Sequence, residues 1–462
     1  MGGLSGINNI ALGALSADEE AINVTSNNIA NIDTPGYAKE TADLVEQAPI
    51  LFGQQYFGNG VTLQSIQSSR DNILDMRVND ENGQQTESQG YLNAMNQVQA
   101  MFNDDSGTGL QSVLSSFFNS FSNLSTDPTS SSLREDVITA GQNLAQTFNQ
   151  DSANLQSIAS GLDQKATADV SQINTLTSQI AQVNGQIAVA PAGTDNADML
   201  IDQRAQLMQQ LSSYVGTSVT QLSNGTVNIS TANGAALVAG NQSFDLQTEP
   251  DPTTGHVQIY SAQGLNITSS LSGGDLAGTI QARDQGVAGV LSQLDTLAAG
   301  IATQVNNLNT TGYDESGVLG PDFFVAPAAT SGYSSTMAVN ITDPTQVAAG
   351  TTTDSGDNSN ALKMAALQNA AVIDGQNPID YYSNLVSTLG NNVSQATADN
   401  TAQGAVLAQL QQQQSSESGV SLDEEAVNLI QYQEAYQASA RVISTVETLL
   451  GAAINLGATG AS

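Results

Sequence analysis

Apolar residues recur at helical spacing at both ends of this chain. Near the amino terminus Leu15, Ile22 and Ile29 repeat every seven residues. Near the carboxy terminus Leu422, Leu429, Tyr436, Ile443 and Leu450 do the same, and Tyr432, Val446 and Ala453 widen the stripe. A seven-residue repeat keeps one face of a helix apolar, which predicts amphipathic, coiled-coil-like helices over residues 4–32 and 421–457. Ser421 followed by Glu424 has capping-box spacing and marks the start of the second helix. Ser16 and Glu19 share that spacing; they mark either a helix start or the exposed face of a helix already running.

The pattern changes between the two ends. Residues 71–190 are helical in pattern, with a break at Asp127-Pro128. Ile173, Leu176, Ile180, Val183 and Ile187 share one face of an extended helix predicted over 151–189. Residues 199–215 read as a further helix. From Gly216 the chain alternates and carries two Asn-Gly steps, Asn224-Gly225 and Asn233-Gly234, which are strong hairpin signals. "HVQIY" (256–260) reads as another strand. Helix resumes near Leu276 and runs to about residue 308, residues 310–360 read mostly as loop, and helices return over 360–414. The expected fold is mainly α with a small β domain. Paired terminal helices (1–65 and 418–462) flank a helix-rich middle domain (66–215 and 280–417) carrying an inserted antiparallel β domain (216–279).

The stretch "NNIANIDTPGYAKE" (27–40) ends the first helix. Thr34 precedes proline and is biased to extended geometry. Pro35-Gly36 fits the centre of a type II turn, because glycine tolerates positive φ there. Asn27, Asn28 and Asn31 offer amide donors and acceptors to neighbouring backbones, and Asn31 also suits a simple helix C-cap. The terminal helices are rich in Ala, Asn and Gln and poor in large aromatics, so as a free pair they bury little area and need a partner. "DEEA" occurs at both ends, at 18–21 and 423–426, and the two termini are expected to pair with each other.

Composition narrows the function. The 462 residues carry a formal net charge of −35 with only nine Lys and Arg, so no basic stripe for nucleic acid is expected, and an anionic membrane surface would repel the chain. There are no cysteines and one histidine, which excludes disulfides, thiolate sites and multi-histidine metal sites. No Lys or Arg precedes Lys39, and Asn8 and Asn9 interrupt the first apolar stretch, so no cleaved signal peptide is expected. A Ser-His-Asp arrangement would have to use His256, which sits on a predicted strand edge and reads as structural. "DSGDNSN" (354–360) begins like a calcium loop, but Ala365 stands where the bidentate Glu belongs. "FGNG" lacks the spacing of a dinucleotide loop. Glu19-Glu20 and Glu424-Glu425 read as exposed helix-face pairs. No catalytic, cofactor or metal site is expected.

With these segments in view, "SNNIANIDTPGYAKE" resembles the amino-terminal signature of the bacterial flagellar rod, hook and hook-associated axial proteins. "GVSLDEEAVNLIQYQEAYQASARVISTVETLL" resembles their carboxy-terminal segment. The interior stretches "GLQSVLSSFFNSFSNLSTDPTSSSLREDVITAGQNLAQTFN", "DMLIDQRAQLMQQLSSYVGTSVTQLSNGTVNIS" and "LDTLAAGIATQVNNLNTTGYDESGVLGPDFF" are similar to the hook-associated branch at the hook–filament junction. The chain is short for that branch, which implies reduced outer domains.

The resemblance implies a structural protein that packs against copies of itself in a ring. Its other implied partners are the hook protein, a second junction protein, a cytosolic export chaperone and the flagellar type III export apparatus, which needs no cleaved signal. It implies subunit contacts at Asn27, Asn28, Asn31, Thr34, Pro35, Gly36 and Tyr37, with Leu429, Tyr436 and Ile443. The apolar stripe Leu429, Tyr436, Ile443 and Leu450 is what a chaperone groove would recognise. A hook or distal rod protein and a secreted adhesin remain as alternatives.

Overall fold

A computed structural model describes residues 2–34, 36–52, 55–102, 109–191 and 194–459. The chain is mainly α-helical with small antiparallel sheets. The helices are α1 (Gly2–Ala30), α2 (Asn72–Met101), α3 (Leu110–Leu124), α4 (Ser131–Ile187), α5 (Asp195–Tyr214), α6 (Gly274–Gln281), α7 (Ala288–Thr311), α8 (Tyr333–Thr336), α9 (Ser359–Ala366), α10 (Pro378–Ser418) and α11 (Leu422–Thr459). A π-helical segment, Ala282–Val287, joins α6 to α7. The strands are β1 (Glu40–Glu46), β2 (Ile50–Phe52), β3 (Gln55–Phe57), β4 (Val61–Ser68), β5 (Thr217–Gln221), β6 (Val227–Thr231), β7 (Ala236–Ala239), β8 (Gln242–Ser243), β9 (Gln247–Pro250) and β10 (Val257–Tyr260).

Strands β1 and β4 form an antiparallel ribbon with Glu40 opposite Ser68 and an irregularity at Asp43/Leu44. Strands β2 and β3 form a separate antiparallel pair, with Ile50 opposite Phe57. Strands β5 to β8 make a four-stranded meander, and β9 pairs with β10. Both Asn-Gly steps turn as expected, with φ of 81° at Gly225 and 92° at Gly234.

Among the described residues, three buried apolar clusters hold the molecule. The largest joins α2, α3, the first part of α4, α7, α9 and α10. At its centre Phe117, Phe121, Phe323 and Phe324 pack tilted or edge-on, with the Phe323–Phe324 centroids 4.9 Å apart. A second cluster joins the later part of α4, from Ala166 to Ala181, to Leu211 and Val215 and to the β residues Val227, Ile229, Leu237 and Ile259. The 57-residue α4 therefore serves both cores, and the division falls between Leu162 and Ala166. The sheet has too few residues to enclose a core of its own and borrows a helix face to do so. A small third cluster, Leu74, Val78 and Leu410, ties α2 to α10. Close helix contact there and nearby depends on small residues: a Cβ on Gly278 would meet the Glu87 carbonyl oxygen at 2.0 Å.

None of the three clusters contains a residue of α1 or α11. These two helices pack along each other, and among the described residues the fully buried apolar ones are Ala11, Ala17, Ala21 and Val24 on α1 and Val446 on α11. The pair is held by a thin, alanine-rich seam.

The single histidine joins the β unit to the helical body. His256 Nδ1 lies 2.9 Å from Asp163 Oδ2, and Asp163 Oδ1 accepts the Val257 N–H at 3.0 Å. Arg283, on the π segment, pairs with Asp163 at 2.5 Å and donates to the Val257 carbonyl at 2.7 Å. Burial alone would raise the Asp163 carboxyl; the bonds from His256, Val257 and Arg283 outweigh it and hold the group below the usual carboxylate range. A depressed carboxyl contributes stability above its unfolded value that is lost as pH falls through the folded one. The thermal transition is therefore expected to drop between pH 5 and pH 3 in the native chain. Asp163→Asn should be less stable by about 1–3 kcal/mol at pH 6 and its stability should depend less on acid. Calorimetry across that range checks this, and parallel pH curves for the two proteins would count against it.

Candidate functional site: the junction of the two chain ends

The end of α1 turns at Thr34–Tyr37 and re-enters the fold as β1. Gly36 sits at φ 83°, the conformation the turn needs. Pro35 lies outside the described residues. Four elements meet here: the end of α1, the start of β1, the end of α10 and the start of α11.

Asn28 is the centre of the junction and is 1% exposed. Its Nδ2 donates to the Glu40 carbonyl at 2.8 Å and to Glu425 Oε2 at 3.2 Å. Its Oδ1 accepts from the Tyr37 hydroxyl at 2.8 Å and from the Glu40 N–H at 2.9 Å. One amide thus uses both donors and both acceptor sites, and links residues almost 400 positions apart. Asn27 and Asn31 are half-buried and brace each other, with Asn31 Nδ2 bound to Asn27 Oδ1 at 2.9 Å. Asn27 also reaches Glu40 Oε2 at 3.4 Å, and the exposed Thr34 hydroxyl donates to Asn31 Oδ1 at 3.1 Å. The asparagines do satisfy neighbouring backbone, as their chemistry suggested, and they do so within this chain.

Lys39 reinforces the joint. Its Nζ lies 2.6 Å from Glu424 and 3.6 Å from Glu425. Burial would lower the Lys39 ammonium, but the attraction and hydrogen bonding of the two glutamates outweigh it and raise it. Glu425 corrects an expectation: it reads as one of an exposed pair, yet it is 1% exposed and faces Asn28. The backbone joins in too, with the Lys39 N–H on the Ser418 carbonyl at 2.8 Å and the Ser69 N–H on the Lys39 carbonyl at 2.8 Å. Arg70 then ties the turn to the body. It donates to the Gly36 carbonyl and pairs with Asp75 at 2.5 Å and Asp202 at 2.8 Å. The Lys39 and Arg70 links join residues far apart in sequence, and sequence reading did not assign them.

The predicted stripe of α11 lies on the helix face toward α1. Leu429, Tyr436, Ile443 and Leu450 are all half-buried. Facing them, α1 buries Ala17, Ala21, Val24 and Asn28, with Leu15, Ile22 and Ile29 half-buried on its flanks. Asp18 meets Ser439 in the seam; burial raises its carboxyl, against the hydrogen bond. Further apolar side chains are exposed on the pair: Ile7 and Leu12 on α1, and Val427, Ile430, Val442 and Leu449 on α11.

Asp357 of the acidic loop accepts bonds from Thr351, Thr352 and Ser359, which hold its carboxyl far below the usual range and occupy its oxygens. Among the described residues no group of three His, Asp or Glu could hold a metal ion. No described helix is long and apolar enough to cross a membrane.

Comparison with known proteins agrees with this geometry. Residues 9–37 match the family described as flagella basal body rod protein, and residues 411–456 match flagellar basal body rod FlgEFG protein C-terminal. Together with the paired ends, these matches define an axial protein of the bacterial flagellum. Residues 95–324 match the flagellar hook-associated protein FlgK helical domain. Flagellar hook-associated protein 1 of Bacillus subtilis (strain 168) is 32% identical over 96% of each chain. Those of Salmonella typhimurium (strain LT2) and Escherichia coli (strain K12) are 28% and 27% identical over 98% of this chain and 100% of theirs. The flagellar hook junction protein FlgK from Burkholderia pseudomallei shares the fold, with a TM-score of 0.67 at 19% identity, over 74% of this chain and all of that one. The chain belongs to the flagellar hook-associated protein 1 family and is a structural protein of the flagellum. The Salmonella alignment spans 556 positions, more than the 462 residues here, so that relative carries segments this chain lacks.

Proposed function

We propose that this chain is the subunit of a ring that joins the flagellar hook to the filament and permits filament assembly. The observation that carries the reading is the α1–α11 pair. It stands outside the three buried clusters, is held by an alanine-rich seam, and exposes further apolar side chains. Such a pair gains most of its stability from further helices packed against it. Residues 1–65 and 418–462 act as the assembly domain, residues 66–215 and 280–417 as the helix-rich middle, and residues 216–279 as the outer β domain. Asn27, Asn31, Thr34, Pro35, Gly36 and Tyr37 meet a neighbouring subunit, with Asn28 fixing the shape of that surface. Leu429, Tyr436 and Ile443 contribute through the helix pair.

The partners follow from the same reading: the hook protein on one side and a second junction protein on the other. A cytosolic chaperone takes Leu429, Tyr436, Ile443 and Leu450 while α11 is apart from α1, and the type III apparatus exports the chain without a cleaved signal. Immunogold labelling of intact flagella tests the placement. A single band between hook and filament is expected; label along the hook or the cell surface would contradict it.

A further inference from the structure

A cavity of about 620 Å³ lies beside the junction, between the signature turn, α2, α5, the β5–β6 edge and the end of α10. Two of its wall residues are arginines. Arg204, on α5, is 5% exposed. Its Nη1 donates to Asn184 Oδ1 at 3.1 Å and to the Gly225 carbonyl at 2.7 Å, both neutral acceptors. Among the described residues it has no carboxylate partner, whereas the buried Arg70, Arg134 and Arg283 each lie near at least one. Its Nε and Nη2 bond to no described residue. Burial, with the Arg70 cation nearby, pulls the Arg204 guanidinium down to about 10. Arg70 adds a donor of its own, since its Nε is buried without a hydrogen-bond partner.

Asp75 also lines this wall and, with Asp202, already pairs with Arg70, but no described acidic residue forms an ion pair with Arg204. A carboxylate is anionic, accepts hydrogen bonds only and accepts several at once, so it complements the Nε and Nη2 donors of Arg204 and the Nε of Arg70. The rest of the wall sets its shape. Met208 and Val219 offer apolar surface, and Gln206 and Gln414 offer amides, which suits a carboxylate on a short methylene stem. We propose that Arg204 and Arg70 form a carboxylate-binding site in this cavity. The occupant is either an acidic side chain of a second copy of this protein or a free small carboxylate.

Glutarate is a suitable probe. The full chain has only six arginines, so its Nε–H resonances can be followed singly. Titration with sodium glutarate is expected to shift the Arg204 and Arg70 signals saturably and leave Arg134 and Arg283 in place. Arg204→Gln should weaken binding about tenfold or more. An Arg204 signal that stays still, or that drifts linearly as it does with sodium chloride, overturns the proposal in the native chain without reliance on any variant. Equal binding by a folded Arg204→Gln protein overturns it too. Sedimentation of assembled hook–filament particles with radiolabelled glutarate separates the sources. Retained label identifies a site for a free carboxylate. Exclusion of label by particles whose dissociated subunits bind it identifies a neighbour's side chain.

Discussion

Leu429→Asp together with Ile443→Asp should abolish flagellar filaments while leaving the body of the protein folded. Both side chains are half-buried on the face of α11 that meets α1. Complete burial of each would be worth roughly 1.5–3 kcal/mol, so half-burial puts about 0.75–1.5 kcal/mol apiece at stake. Two carboxylates in an apolar seam add a desolvation cost. That seam fully buries few side chains larger than alanine, so losses of this size separate the helices. The three buried clusters contain neither residue, and their melting transition should move by no more than a degree or two. Helical signal should fall by an amount matching frayed α1 and α11. Motility plates and circular dichroism read both effects, and unchanged swimming would remove the α11 stripe from the assembly surface.

Asn28→Ala should release the two ends from each other at their root. The side chain makes four hydrogen bonds in a site closed to water, two of them to the Glu40 backbone. Its loss is expected to cost on the order of 3 kcal/mol, because partners buried around it lose the bonds it supplies. Asn28→Asp keeps the shape but puts a carboxylate oxygen where Nδ2 faced Glu425, so it should be at least as harmful. Asn28→Gln should not rescue, since the added methylene has no room at 1% exposure. Amide exchange is the sensitive readout. Protection at residues 38–46 and 422–430 should fall about 100-fold, while that of α3 and α7 stays put. Full protection in Asn28→Ala would mean that Lys39 and the Ser418 backbone contact hold the joint alone.

Much of this was legible in the sequence where the physics is local. The heptad stripe of α11, the Asn-Gly hairpins, the strand at Val257–Tyr260 and the break at Asp127-Pro128 each follow from spacing or turn chemistry within a few residues. The pairing of the two ends was readable from matching stripes. Three features were not. The continuous run of α4 from Ser131 to Ile187, longer than the helix read over 151–189, serves two cores, and that division shows only in the fold. The burial of Glu425 depends on Asn28 and Lys39, nearly 400 residues upstream, so a local reading saw only an acid in a helix's first turn. The carboxylate-free Arg204 looks like any helical arginine until the fold closes a cavity beside it. Its only local signal is scarcity: six arginines in 462 residues. Asn28 lies between these cases. Its residue type indicated backbone satisfaction, and its partners needed the structure.

The most direct measurement of the central claim is a clean deletion in the source bacterium, scored by electron microscopy and by a flagellin blot of the medium. The account predicts hooks of normal length without filaments, and flagellin released into the medium. Absent or overlong hooks would move the protein into the rod or hook, and intact, motile filaments would contradict the account outright.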